Sequence, residues 1–141
     1  MPIQLIRSVP MLATSNMHET ITFYQDILGF SPGDKFESSG VISWCEMKLD
    51  NTSLMFTQHE TNTSAPGAKN IFAQTAIALY VSNIEEVYED LIEKGLPVSP
   101  LRVTFYGMKE FDIQDPTGYT LLIGQSSDET PTIENSETTP F

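Results

Sequence analysis

Acidic and aromatic side chains at alternate positions are the residues of this sequence best suited to chemistry. Trp44 and Glu46 are two positions apart, and so are Glu110 and Asp112, which puts each pair on one face of a strand. Carboxylates beside aromatic rings suit a flat or cationic organic ligand, and a carboxylate whose pKa is raised by burial can act as a general base. Two simpler interpretations stay open: Trp44 as a core or subunit-interface aromatic, and the acidic pair as a solvated strand face.

Residues typical of catalytic centres are few. The only histidines, His18 and His59, are predicted to face solvent, and the only cysteine, Cys45, to be a structural strand residue, because no cluster with metal-ligand spacing surrounds them. No glycine-rich phosphate loop or Gly-x-Ser-x-Gly sequence occurs. The sequence therefore identifies no catalytic residue and predicts no cofactor.

Composition limits the function classes. The 141 residues, about one domain in length, include 19 acidic and 7 basic side chains, for a formal net charge of −12. Without a basic stripe, nucleic acid is not expected as a partner. No apolar run approaches the roughly 20 residues of a membrane-spanning helix, and the N-terminus lacks a signal-peptide layout. With a single cysteine, these features predict a cytoplasmic protein with no internal disulfide and no membrane partner.

An internal repeat organises the elements that must position these residues. Residues 76–86 repeat residues 9–19, and residues 120–125 repeat residues 53–58, both at an offset of 67. In each copy a Ser-Asn pair is followed by a Glu three residues after the Asn, a capping box that predicts a helix start. Each copy is thus predicted to be a β-α-β-β-β unit.

Periodicity and turn residues place the elements. The first copy is predicted to contain strand Gln4–Thr14, helix Met17–Leu28 and strands Phe30–Phe36, Val41–Leu49 and Ser53–Gln58. The second is predicted to contain strand Gln74–Val81, helix Ile84–Lys94 and three strands, the last two near Glu110–Gln114 and Tyr119–Gly124. Pro10 predicts an edge position or an exchange point for the first strand, and Gly29 and Gly95 predict left-handed helix ends.

The connecting segments complete a single predicted domain, residues 1–125, with modules at about 1–62 and 70–125. Residues 60–69 are the predicted linker, and residues 115–118 are a predicted turn. Residues 126–141, which include four acidic side chains and no basic one, are predicted to form a solvated tail.

Alternation along the strands predicts which face each side chain occupies. The predicted ligand-facing set is Val9, Met11, Ala13, Trp44, Glu46, Met55, Ala76, Ala78, Tyr80, Glu110, Asp112 and Leu122. The predicted helix-facing set is Leu12, Cys45, Met47, Leu49, Leu54, Phe56, Ile77, Leu79, Val81, Phe111, Ile113, Leu121 and Ile123.

Two motifs carry a family resemblance. Residues 22–30 read Thr-Phe-Tyr-Gln-Asp-Ile-Leu-Gly-Phe, and residues 115–119 read Asp-Pro-Thr-Gly-Tyr. With the tandem βαβββ pattern, they resemble the vicinal oxygen chelate superfamily of glyoxalase I, extradiol dioxygenases, fosfomycin-resistance enzymes and bleomycin-resistance proteins, over about residues 5–125. The resemblance implies an α+β fold whose two modules pair their sheets into an open cup, in a homodimer. Residues 8–12 look most similar to the bleomycin-resistance type.

The resemblance also locates the positions where metal-dependent members carry ligands. Those positions, on the first and fourth strands of each module, correspond to Val9, Met55, Ala76 and Leu122. None supplies an imidazole nitrogen or a carboxylate oxygen. We therefore predict no metal site.

We expect a metal-independent homodimeric protein that binds and sequesters an aromatic or cationic small molecule, with bleomycin-like antibiotics as the named candidate. The first alternative is a lyase, isomerase or dioxygenase of the same fold with a displaced or absent metal site, in which Glu46, Glu110 or Asp112 acts as ligand or base. A weaker alternative is a regulatory module. The predicted ligand-binding residues are Trp44, Glu46, Met55, Tyr80, Tyr106, Met108, Glu110, Asp112 and Leu122.

Overall fold

The sequence repeat is present in the structure as two units with the same order of strands and helix. The structure is a computed structural model that describes residues 2–59 and 75–136. The chain divides into units Met1–Phe72 and Ala73–Phe141, and each contains one four-stranded mixed sheet. The predicted α+β fold of tandem βαβββ modules is confirmed. The predicted linker, residues 60–69, lies outside the described residues.

The first unit is built from β1 (Met11–Thr14), α1 (Met17–Thr22), β2 (Ser31–Ser38), β3 (Val41–Leu49) and β4 (Thr52–Gln58). Its sheet order is β1-β4-β3-β2, with β1 parallel to β4 and the other pairs antiparallel. After α1 the chain continues as a π-helical segment, Phe23–Ile27, so the second half of the predicted helix is wider than an α-helix.

The second unit is built from β5 (Ala76–Tyr80), α2 (Ile84–Glu93), β6 (Arg102–Val103), β7 (Met108–Gln114) and β8 (Thr120–Ser126), in the order β5-β8-β7-β6. The parallel strand pairs have the same register in both units. Met11 lies beside Met55 and Ala78 beside Leu122, which is the 67-residue offset of the sequence. The repeat therefore extends to the pairing of the strands.

The first strand is shorter than predicted, because it begins at Met11 and not at Gln4. Pro10 has no amide hydrogen for the ladder, although its carbonyl accepts a hydrogen bond from the Met55 amide at 2.8 Å. The preceding apolar side chains, Ile3, Leu5 and Ile6, are more than four-fifths exposed. The predicted edge position of this strand is confirmed.

The two helix starts differ, although their sequences match. In the first unit the Asn16 side chain accepts a hydrogen bond from the Glu19 amide at 3.0 Å, as the capping box predicts. In the second unit Asn83 makes no such bond. Its amide group instead donates to the Glu86 carboxylate at 3.4 Å. Asn83 is therefore the N-cap residue, as predicted, but the predicted hydrogen bond from a helix amide to its side chain is absent.

A glutamine from the last strand replaces the missing cap hydrogen bond. The Gln125 side-chain oxygen accepts from the Ile84 amide at 2.9 Å, and its side-chain nitrogen donates to the Ser82 carbonyl at 3.1 Å. The equivalent Gln58 donates to the Ser15 carbonyl at 2.8 Å. In both units this repeated glutamine joins the fourth strand to the start of the helix.

The core of each unit lies between the helix and one face of the sheet. Of the predicted helix-facing side chains, the buried ones are Leu12, Cys45, Met47, Leu54, Phe56, Phe111, Ile113, Leu121 and Ile123. The partly buried ones are Ile77, Leu79 and Val81. The prediction is wrong for Leu49, which is 37% exposed, because β3 ends there and the chain turns at Asp50.

Turns and helix ends follow the sequence closely. Gly29 and Gly95 have φ of 83° and 79°, as predicted for left-handed helix ends. In the predicted turn at residues 115–118, one Asp115 carboxylate oxygen accepts from the amides of Thr117, Gly118 and Tyr119 at 2.9–3.0 Å. Across residues 2–59 and 75–136, no helix is long and apolar enough to span a bilayer.

Candidate functional site

The first polar cluster of the second unit lies on β6 and β7. Arg102 donates to the Asp112 carboxylate at 2.8 Å and to the Glu110 carboxylate at 3.3 Å. The Tyr106 hydroxyl also donates to Glu110. Glu110 is only 4% exposed, and a buried carboxylate needs such charged and hydrogen-bonding partners. This Arg102 cluster, formed by Arg102, Tyr106, Glu110 and Asp112, includes three of the predicted ligand-binding residues.

The β6–β7 hairpin explains how these side chains meet. Arg102 lies directly opposite Glu110 in the strand register, and Asp112 follows on the same face of β7. Gly107 has φ of 82°, which lets the chain turn back so that the Thr104 amide donates to the Met108 carbonyl at 2.8 Å. The hydrogen bond to Glu110, with burial and the Glu110 charge, raises the pKa of Tyr106.

Ser99 fixes the position of Asp112. The Ser99 hydroxyl oxygen accepts from the Asp112 amide at 2.8 Å and from Arg102 at 3.3 Å. The Ser99 amide in turn donates to the Asp112 carbonyl at 3.0 Å. The segment before β6 thus holds both the backbone of Asp112 and the guanidinium that contacts its carboxylate.

Apolar side chains occupy the same face of the second sheet. Gly124 lies between Tyr80 and Glu110 in the register, and a Cβ there would be 3.2 Å from the Met108 methyl and 3.5 Å from the Tyr80 ring. Tyr80 and Met108 therefore cover the glycine. Leu122 is opposite Asp112. The structure thus places the predicted site residues of this unit on one sheet face, opposite the face that Phe111 presents to Tyr88 of α2.

The first sheet carries the remaining predicted site residues. Glu46 is opposite Met55 and is 4% exposed. Its carboxylate is 3.6 Å from the Arg7 guanidinium and 3.5 Å from the Lys48 ammonium. A Cβ at Gly33 would be 3.1 Å from this carboxylate, so the glycine leaves room for the buried acid. Trp44 is partly buried beside these residues.

Sequence reasoning missed the cationic partners of these carboxylates. Arg7 and Arg102 were not among the predicted site residues, but each contacts one of them. Two cations, Arg7 and Lys48, lie near the single Glu46 carboxylate. In the second unit, one cation, Arg102, contacts both Glu110 and Asp112. Glu46 with Arg7 and Lys48 therefore sums to one positive charge, and the Arg102 cluster sums to one negative charge. Ser99 was also missed, because strand register, which decides these contacts, is not visible in composition or spacing.

The side chains at the four predicted metal-ligand positions do not fit a divalent metal. Val9, Met55, Ala76 and Leu122 bring hydrocarbon or thioether side chains, which are poor ligands for such an ion. Within the described part of the chain, no group of three or more His, Cys, Asp or Glu side chains could hold a metal ion.

Cys45 is buried, and its thiol lies 3.6 Å from the Met17 sulfur. Burial raises the pKa of the Cys45 thiol.

Comparison with known proteins agrees with the two-unit architecture. The structure is similar to TioX from Micromonospora sp. ML1 (TM-score 0.70, 14% identity, 84% of this chain and 96% of that chain). It is also similar to TnmS3, an antibiotic binding protein from Streptomyces sp. CB03234 (TM-score 0.69, 18% identity, 90% and 99%). A bleomycin resistance determinant encoded on the transposon Tn5 has a TM-score of 0.67 with 19% identity, over 86% of this chain and 98% of that one.

These identities are low enough that the likeness defines the fold alone. No curated protein matches the sequence. The family model that matches residues 7–123 describes the Glyoxalase/Bleomycin resistance protein/Dioxygenase superfamily, and it covers most of the chain, including both repeated units. The chain therefore belongs to the Glyoxalase/Bleomycin resistance protein/Dioxygenase superfamily.

Proposed function

We propose that this protein is a metal-independent homodimer that binds and sequesters an aromatic or cationic small molecule. The observation that carries the proposal is the exposed face of the second sheet. Tyr80 is 74% exposed and Tyr106 is 55% exposed. The Tyr106 hydroxyl donates to the buried Glu110 carboxylate, and Tyr80 lies on the same sheet face, separated from Glu110 by Gly124. Aromatic rings next to net negative charge attract flat or cationic organic molecules.

The donor set favours binding over metal chemistry. The four positions that metal-dependent relatives use are Val9, Met55, Ala76 and Leu122 here, and none offers the nitrogen or oxygen ligands of a catalytic metal. The carboxylates that an enzyme would need, Glu46, Glu110 and Asp112, are held by cations. In this proposal the protein acts by burying its ligand.

Bleomycin is the first ligand to test, since one structural neighbour is described as a bleomycin resistance determinant and another as an antibiotic binding protein. Trp44 is the only tryptophan, so its fluorescence reports on the first unit directly. We expect a saturable change when metal-free bleomycin is titrated into the protein, with the same affinity in the presence of EDTA. A titration that shows no change in Trp44 fluorescence and no heat in calorimetry, which also detects binding to the second unit, would reject bleomycin as the ligand. A flat aromatic cation such as ethidium would then be the second probe.

Native mass spectrometry of the protein as purified tests the other two parts of the proposal. We expect a dimer whose mass contains no metal. A stoichiometric divalent metal that EDTA removes together with ligand binding would overturn metal independence. A monomer at all concentrations would overturn the dimer.

A further inference from the structure

A cavity of about 340 Å³ lies beside Asp112 in the second unit. Its walls include Pro97, Val98, Ser99, Asp112, Gln114 and Thr120. Small-molecule pockets are roughly 300–1,000 Å³, so this cavity accommodates one small group of a ligand. Of the residues predicted to bind ligand, only Asp112 lines it.

The cavity borders the Arg102 cluster at Asp112. Arg102 serves two carboxylates, which leaves one net negative charge. Glu110 does not present that charge to a ligand, because its side chain is 6% exposed and also accepts from the Tyr106 hydroxyl. The Asp112 side chain is 38% exposed and forms part of the cavity wall. A cation entering the cavity would therefore meet Asp112.

The other polar walls supply hydrogen bonds without charge. The Ser99 hydroxyl accepts two hydrogen bonds, from the Asp112 amide and from Arg102, so its single proton can point to a third group. The side chains of Gln114 and Thr120 add an amide and a hydroxyl, and each of these groups both donates and accepts. Pro97 and Val98 provide an apolar wall.

We propose that this cavity binds a protonated amine flanked by hydroxyl groups, as in an amino sugar, and that Asp112 is the residue that selects for its positive charge. This inference rests on the proposed small-molecule binding function and assigns one polar subsite to it. The carboxylate recognises the ammonium group, the uncharged walls recognise the neighbouring hydroxyls, and the apolar wall packs against the ring.

The test compares methyl glucosaminide with methyl glucoside, its uncharged counterpart, on the full-length protein by NMR titration of backbone and side-chain amides, at a pH where the amine is protonated. We expect a dissociation constant on the order of 1 mM for the glucosaminide. We also expect shifts concentrated at Ser99, Gln114 and Thr120, and binding of the glucoside about tenfold weaker. Equal shifts for the two sugars, or shifts located elsewhere, would overturn the proposal.

Asp112→Asn removes the charge but keeps an oxygen that can accept from Arg102, and it should remove the roughly tenfold preference for the glucosaminide over the glucoside. The matched control is Asp90→Asn, the same substitution on the exposed face of α2, which should leave that preference unchanged. Thr120→Val is nearly isosteric and should weaken the binding of both sugars to the same extent. The subsite therefore remains testable if Asp112→Asn is unstable.

Bleomycin titration of the same samples separates the two proposals. Bleomycin binding without glucosaminide binding would overturn the amine subsite and leave the proposed function standing. Glucosaminide binding that Asp112→Asn abolishes would support the subsite, whatever the larger ligand is. Absence of binding by bleomycin, ethidium and both sugars would overturn the subsite and the proposed function together.

Discussion

At the scale of single residues, one carboxylate oxygen of Asp115 organises a whole turn by accepting three backbone amides. The residue is 5% exposed, so its removal would take a shared hydrogen-bond acceptor away from one buried and two part-buried amides. We expect Asp115→Ala to lower the free energy of unfolding by about 2–3 kcal/mol in urea denaturation. The control Asp128→Ala, at an exposed position, should change it by less than about 0.5 kcal/mol. Similar losses in both variants would contradict this role.

Cys45 gives the protein a predictable response to alkaline pH. Because burial raises the pKa of the thiol in the folded protein, the unfolded chain releases this proton first, at about pH 8.5. The contribution of the protonated thiol to the unfolding free energy is therefore fully present below that pH. It is lost as pH rises toward the folded-state pKa of Cys45. We expect the wild type to lose more unfolding free energy than Cys45→Ala between about pH 8 and about pH 10. Parallel losses in urea titrations would show that the thiol titrates normally in the folded state.

At the scale of elements, the start of α2 depends on a strand residue and not on its own cap. Gln125 contacts both the Ile84 amide and the Ser82 carbonyl, whereas Asn83 makes no cap bond. We expect Gln125→Ala to cost about 1–2 kcal/mol of unfolding free energy and to speed hydrogen exchange in the first turn of α2. Asn83→Ala should cost less than about 0.5 kcal/mol. The capping-box sequence predicts instead that Asn83→Ala costs more than Gln125→Ala. Measuring both variants therefore decides which residue caps α2.

The first unit offers the internal control for this interpretation. There the Asn16 side chain does cap α1, so Asn16→Ala should cost about 1 kcal/mol. The same Asn→Ala change, 67 residues apart, is thus expected to matter in one repeat and not in the other. Equal costs at Asn16 and Asn83 would contradict the difference between the two helix starts.

At the scale of the whole molecule, acidic residues outnumber basic ones by 19 to 7, so charges of the same sign repel one another in the folded state. Raising the salt from about 10 mM to about 150 mM shortens the screening length from about 30 Å to about 8 Å. We expect this change to raise the melting temperature by a few degrees. A variant with Asp26, Glu89 and Asp128 changed to their amides should gain less from salt. A melting temperature that falls with salt would mean that the ion pairs outweigh the repulsion.

The α+β fold and much of the core could be predicted from the amino-acid sequence. The 67-residue repeat predicted two βαβββ units, and alternation predicted buried faces that contain Phe56 and Phe111. Gly29 and Gly95 predicted the helix ends. These features follow from local rules, because turn conformation, helix period and strand alternation depend on residues that are neighbours in the sequence.

The contacts between side chains of the site could not be predicted in this way and are visible only in the folded structure. Strand register placed Arg102 opposite Glu110, the segment before β6 brought Ser99 to Asp112, and the end of β8 put Gln125 where Asn83 was expected to act. Such contacts join residues far apart in the chain, and they depend on register and loop conformation, which a single sequence does not encode in any short pattern. The acidic and aromatic residues of the candidate site were therefore visible in the sequence, but their cationic partners were not.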